Sequence, residues 1–157
     1  MSSLAKRVSD QLHLRKMVLA SAESCTGGMI CAAITDIPGS SEIFDRSFIT
    51  YSNQAKTDLL GVYNTILETH GAVSEPTVKA MVAGALRQTP ANIAVAVSGI
   101  AGPGGGTPDK PVGLVYIGVG LKDQTPQVFR HIFVGDRAAV RQQSVDAALT
   151  HILEILG

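Results

Sequence analysis

Apolar residues recur along this chain with two different periods, and the switches between them mark out its elements. Over 4–15, Leu4, Val8 and Leu12 fall four apart, the stripe of an amphipathic helix. The run 17–22 is short and continuously apolar, which predicts a buried strand. Residues 29–35 read as a helix, 37–40 as a turn around Pro38 and Gly39. Residues 44–51, rich in β-branched and aromatic side chains, read as a strand. Ser52 and Asn53 offer an N-cap for a helix carrying Lys56, Leu59 and Leu60. Ser74-Glu75-Pro76 opens another, with Val78, Met81, Val82, Ala85 and Leu86 as its inward face. A second buried strand spans 93–98, followed by a glycine-proline segment over 100–111. Residues 112–121 and 127–134 predict a β-hairpin. Asp136 can cap a last helix that buries Val145, Leu149, Ile152 and Leu156. Strands alternating with helices predict an α/β domain of three layers, α/β/α, and the late hairpin makes its sheet of about five strands mixed.

Composition narrows the class. A chain of 157 residues suits one domain, 1–157, and can bury a core without staples. Hydrophobic residues at 45% against charged residues at 17% exclude extended disorder. Lys and Arg number 13, as do Asp and Glu, so there is no electrostatic case for a nucleic-acid or anionic-membrane partner. Cys25 and Cys31 match no disulfide framework and no zinc spacing, and His13, His70, His131 and His151 are scattered, so neither metal nor cofactor is expected. The first residues lack the apolar core of a signal peptide and no apolar run is long enough to span a bilayer, which leaves a cytoplasmic protein as the expectation.

Glycine is the unusual residue. There are 16, and they crowd at Gly27 and Gly28 and again at Gly99, Gly102, Gly104, Gly105 and Gly106. Such crowding implies unusual backbone conformation or close approach to something. Ser24 precedes the first window, where a buried strand runs into a helix. Two readings stand for Ser24 and Thr26: helix capping, or a hydroxyl beside free backbone N–H groups that can hold an oxyanion or a phosphate. Cys25 is a rival nucleophile without a histidine near it in sequence. A serine nucleophile needs a base, and Lys56 can serve if it is kept neutral, with Tyr51 relaying a proton or orienting the serine. The alternative is a solvent-facing Lys56 and a core-edge Tyr51. The second window matches neither an ATP-type phosphate loop, which needs Lys where Gly105 stands, nor a dinucleotide fingerprint, which needs Gly where Thr107 stands. Arg137 and Arg141, one helical turn apart, can bind a phosphate or simply face solvent.

Four segments in order, AESCTGG (22–28), TYSNQAK (50–56), SGIAGPGGGTPDKPVG (98–113) and FVGDRAAVR (133–141), resemble the CinA C-terminal domain family. The resemblance covers essentially the whole chain and resembles the stand-alone form, without the N-terminal nucleotide-processing domain of longer members. It implies a three-layer α/β/α fold and hydrolysis of the carboxamide of nicotinamide mononucleotide, giving nicotinate mononucleotide and ammonia for NAD recycling. It places the family's catalytic serine, tyrosine and lysine on Ser24, Tyr51 and Lys56, and the serine of the glycine motif on Ser98. Substrate contacts are expected from Thr26, Gly27, Gly28, Asn53, Ser98, Gly99, Gly102, Gly104 and Gly105, with Arg137 and Arg141 both fitting the arginine position. The expected partner is a small mononucleotide, and a homodimer is the expected assembly. Rival readings are a non-catalytic nucleotide-binding module on this fold and an amidase for another small amide.

Overall fold

The computed structural model describes residues 2–157. Five strands, β1 (Leu19–Glu23), β2 (Phe44–Ile49), β3 (Ile93–Gly99), β4 (Leu114–Leu121) and β5 (Gln127–Ile132), form one sheet in the order β2-β1-β3-β4-β5. β2, β1 and β3 are parallel, and β4 and β5 continue antiparallel from β3. Helices α1 (Leu4–Arg15), α2 (Met29–Thr35) and α6 (Arg137–Leu156) cover one face. Helices α3 (Asn53–Leu60), α4 (Asn64–His70) and α5 (Glu75–Arg87) cover the other. The mixed three-layer architecture is the one the alternation of periods predicted.

The two faces of the sheet are built from different side-chain sizes. Toward α1, α2 and α6 the strands present Leu19, Ile93, Val95, Val97, Val115, Ile117 and Val119. Toward α5 the alternate positions are small, including Ala22, Ala94, Ala96, Gly118 and Gly120. A Cβ on Gly118 would sit 2.7 Å from Val78 Cγ1, so α5 can lie this close only because these side chains are missing. The same closeness holds where α5 crosses α3: a Cβ on Gly84 would lie 2.1 Å from the Leu60 carbonyl oxygen.

The helix signals in the sequence correspond to observed caps. Ser52 Oγ accepts from the Ala55 N–H, Ser74 Oγ from Thr77, and Asp136 Oδ1 from Ala139. Strand ends differ from the sequence reading by up to two residues. β1 begins at Leu19 because Lys16 turns through φ 55° and the Val18 N–H goes to the Asn92 side chain. β2 stops at Ile49 because the Thr50 and Tyr51 carbonyls turn to another partner, described below. The hairpin strands are likewise shorter than 112–121 and 127–134. Helix α4 is not foreshadowed: its N-cap is Tyr63, which makes no side-chain cap bond.

Among the described residues, no helix is long and apolar enough to cross a membrane, and no cluster of three His, Cys, Asp or Glu could hold a metal ion.

Candidate active site

The site lies where β1 and β3 end side by side. The Ser24 N–H still donates to Val97 O at 3.0 Å, so the chain leaves β1 pinned to its neighbour. The turn that follows is organised by Glu23, fully buried at the last position of β1. Its Oε1 accepts from the Thr26 hydroxyl at 2.7 Å and from the N–H groups of Gly28 at 3.2 Å and Ile30 at 2.9 Å. Its Oε2 accepts from the Cys31 N–H at 3.0 Å and from the hydroxyls of Ser21 and Ser47. The carboxylate therefore occupies the N-terminus of α2, where negative charge is favoured and free N–H groups need acceptors.

That arrangement decides which amides of the turn stay available. Gly27 N–H goes to Ser24 O, Gly28 N–H to Glu23 and Met29 N–H to Thr26 O. Among the described residues the Thr26 amide makes no hydrogen bond, and the Cys25 amide makes none beyond the one to its own thiol. Gly27 (φ 55°) and Gly28 (φ 103°) serve the turn itself, since side chains rarely tolerate those conformations.

Lys56 enters from α3. With Ser52 as the cap, Lys56 and Leu60 fall four apart on one helix face, and both are buried, Lys56 being 1% exposed. Its Nζ lies 3.1 Å from Ser24 Oγ, 2.8 Å from Thr50 O and 3.3 Å from Tyr51 O. No carboxylate pairs with it among the described residues. Burial without a counter-charge pushes the lysine down to about 8, with the neighbouring Cys25 thiol acting weakly the other way. Cys25 moves in the opposite direction, up to about 11. Burial dominates there and Glu23 adds to it, against its backbone hydrogen bond and the charges of Arg141 and Lys56. A thiol held that high is protonated at neutral pH and is a poor nucleophile.

The other predicted residues separate into those that reach the cavity and those that do not. A cavity of about 190 Å³ is lined by Ser24, Cys25, Tyr51, Lys56, Ser98, Gly99, Ala101 and Arg137, with Ala72 and Val73 from the α4–α5 connection. Tyr51 stands at the rim, 63% exposed. Its hydroxyl accepts from Arg137 Nη2 at 3.2 Å, and its backbone carbonyl, not its phenol, is the part near Ser24 and Lys56. Arg137 also donates to Gly102 O at 2.8 Å, tying the glycine loop to the start of α6. Arg141 does not line the cavity. It donates to Cys25 O at 2.9 Å and Thr26 O at 3.3 Å, clamping the turn from behind. Asn53 is exposed on the first turn of α3, outside the lining, and Thr26 is fully buried against Glu23.

Much of the second glycine window answers to the protein's own packing. A Cβ on Gly99 would sit 2.6 Å from Val115 Cγ2, and one on Gly102 2.5 Å from Val112 Cγ1. Gly104 and Gly105 are exposed and lie outside the cavity lining. Only Gly99 of this window faces the cavity. Glu23 is the residue that sequence reasoning left unassigned. Its signal was a carboxylate closing an otherwise uncharged, buried strand just before a helix start.

The family model described as the CinA C-terminal domain matches residues 1–156, and the chain belongs to that family. The nicotinamide-nucleotide amidohydrolase PncC of Escherichia coli (strain K12) is 47% identical over 146 residues, 93% of this chain and 88% of the relative. A putative competence-damage inducible protein of Caldicellulosiruptor bescii is 52% identical over 135 residues, 86% of this chain but only 33% of the relative. The chain thus spans about a third of the longer relatives and most of the PncC length. The crystal structure of the competence/damage inducible protein CihA from Agrobacterium tumefaciens superposes with a TM-score of 0.96 at 41% identity over 100% of both chains.

Proposed function

We propose that this chain, acting as one domain over 1–157, hydrolyses the carboxamide of nicotinamide mononucleotide to nicotinate mononucleotide and ammonia. The observation that carries the mechanism is the Ser24–Lys56 contact of 3.1 Å inside a buried pocket. A neutral lysine has two N–H groups and one lone pair. Here the two N–H groups have the Thr50 and Tyr51 carbonyls as acceptors, which leaves the lone pair for the Ser24 O–H. Ser24 attacks the carboxamide carbon as its proton passes to Lys56. The Cys25 amide, on a residue of the cavity wall, receives the oxyanion, and such a donor is worth about 3–4 kcal/mol in comparable sites. Collapse breaks the C–N bond, the nitrogen takes the proton from Lys56, and water then hydrolyses the acyl ester by the same base. The relatives named as nicotinamide-nucleotide amidohydrolases support the substrate. The ring and carboxamide enter the cavity, and ribose and phosphate extend outward past Arg137. The Arg137 guanidinium is the cation placed to meet the phosphate.

Ammonia release from nicotinamide mononucleotide tests this. Wild type and Cys25→Ala are expected to release ammonia, and Ser24→Ala is expected to lose it. Binding without release by wild type would support the non-catalytic module instead, and release from an unrelated amide in preference would change the substrate. A cytoplasmic homodimer is proposed on the family resemblance, and light scattering after gel filtration measures the assembly.

A further inference from the structure

Outside the active site, the fold brings together two of the four histidines that lie scattered in the sequence. His131 is on β5 and His151 on α6. Phe129 and His131 pair with Ile117 and Val115 of β4, so both project from the sheet face that α6 covers. There the Nε2 atoms of His131 and His151 stand 2.8 Å apart. Each ring is held by an aromatic neighbour. Phe129 stacks on His151 with ring centroids 3.7 Å apart, and Phe133 on His131 at 4.9 Å. On its far side His151 Nδ1 lies 3.2 Å from Glu154 Oε2. The pair is remote from the cavity, since His151 follows Arg137 by fourteen positions of α6, about 21 Å along the helix.

The carboxylate decides the tautomers. Glu154 accepts, so His151 carries its proton on Nδ1 and turns its Nε2 lone pair toward His131. His131 completes the contact by donating its Nε2–H. Its Nδ1 makes no hydrogen bond among the described residues, and the side chain is half-buried. Moving the His131 proton from Nε2 to Nδ1 therefore needs no ionisation, and it leaves two Nε2 lone pairs facing each other. Two such lone pairs repel unless something positive lies between them. Imidazole nitrogens that converge, with one ring oriented through its other nitrogen by a carboxylate, suit late first-row divalent ions. With metal–nitrogen bonds of about 2.0–2.1 Å and a tetrahedral angle, the two nitrogens need to be about 3.3 Å apart, so the rings part by roughly 0.5 Å. Among the described residues no third His, Cys, Asp or Glu joins the pair as a ligand, so water fills the other positions.

We propose that His131 and His151 form a binding site for a divalent transition ion of the Zn²⁺ and Cu²⁺ class, with Glu154 as the carboxylate that orients His151. Bound there, the ion ties the edge strand β5 to α6. No net proton is released from the neutral pair, because that of His131 only changes ring nitrogen. The site is independent of the amidase reading.

The experiment is calorimetry with Zn²⁺ alone on untagged, chelator-treated protein, with thermal unfolding alongside. Wild type is expected to bind one equivalent and to gain in Tm as Zn²⁺ is added. His131→Phe keeps the aromatic stack and is expected to lose this binding. Glu154→Gln, at an exposed position, is expected to weaken it by about tenfold or more. A His13→Gln, His70→Gln double variant leaves the pair intact and is expected to bind within about threefold of wild type. Electron paramagnetic resonance of wild type with Cu²⁺ is expected to show coupling to two imidazole nitrogens, which keeps the test open even where a variant fails to fold. No Zn²⁺ binding by wild type, equally tight binding by His131→Phe, binding lost in the double variant, or a Cu²⁺ spectrum without the two nitrogens would each overturn the site. Unchanged affinity in Glu154→Gln would overturn the role of the carboxylate.

Discussion

Glu23 and Lys56 are both buried, both ionisable, and both adjoin Ser24, yet their surroundings treat them in opposite ways. Glu23 receives three helix N–H groups and three hydroxyls. Lys56 has two backbone carbonyls, one hydroxyl and no carboxylate. The helix N-terminus and the hydroxyls stand in for a counter-ion at Glu23. Nothing does so for Lys56, and desolvation drives it toward the neutral amine. The turn after β1 therefore meets one carboxylate that builds it and one amine, from α3, that desolvation frees to take a proton.

The sharpest way to break this comparison is Lys56→Met, which keeps the volume and removes the amine. We expect ammonia release to fall by about two orders of magnitude or more, the usual loss for a positioned base. Activity within a few-fold of wild type would remove Lys56 from the mechanism.

Next comes pH. With Lys56 lowered to about 8, the neutral form gains as pH rises, so kcat/KM should climb about tenfold per pH unit below 8 and level off above it. Stability carries the complementary signature. Between about 8 and 10.5 the unfolded chain keeps the lysine proton that the native state has released, so this group's contribution to stability rises with pH. Cys25, raised from 9.0 to about 11, opposes it across its own window, because there the native state holds the extra proton. The difference in urea midpoint between wild type and Lys56→Met should therefore shift in favour of wild type from pH 8 to pH 10. A constant difference would mean that Lys56 is charged throughout.

Glu23→Gln tests the other side. A side-chain amide cannot accept at both ends, so at least one of the Gly28, Ile30 and Cys31 N–H groups loses its partner. The expected cost is roughly 1–3 kcal/mol, read by urea unfolding, with a drop in kcat larger than any rise in KM as the Cys25 amide shifts. Unchanged stability would show that the α2 N-terminus does not depend on the charge.

The smallest effect is expected at Tyr51. Its carbonyl, not its phenol, accepts from Lys56, so Tyr51→Phe should change kcat by less than about threefold, the loss of one exposed hydrogen bond to Arg137. A much larger loss in kcat would restore the phenol as a proton relay.

The sequence by itself determined the order of elements and the chemistry they carry. Period, caps and turn residues are local, and Ser52, Ser74 and Asp136 start their helices where the pattern places them. Helix α4 escaped because Tyr63 carries no capping signal, and the strand ends escaped because partners distant in sequence take their last carbonyls and amides. The four motifs led to the family, and with it to Ser24, Lys56 and Ser98. Only the tertiary structure decided what each residue meets. It buried Lys56 against Ser24 across 32 positions of sequence and assigned Arg141 to the turn carbonyls while leaving Arg137 at the cavity. It also turned most of the glycine excess into space for the protein's own chain. Burial, and hence the proton affinity of a lysine, depends on what the rest of the fold places around it, and that is not written in the residues beside it.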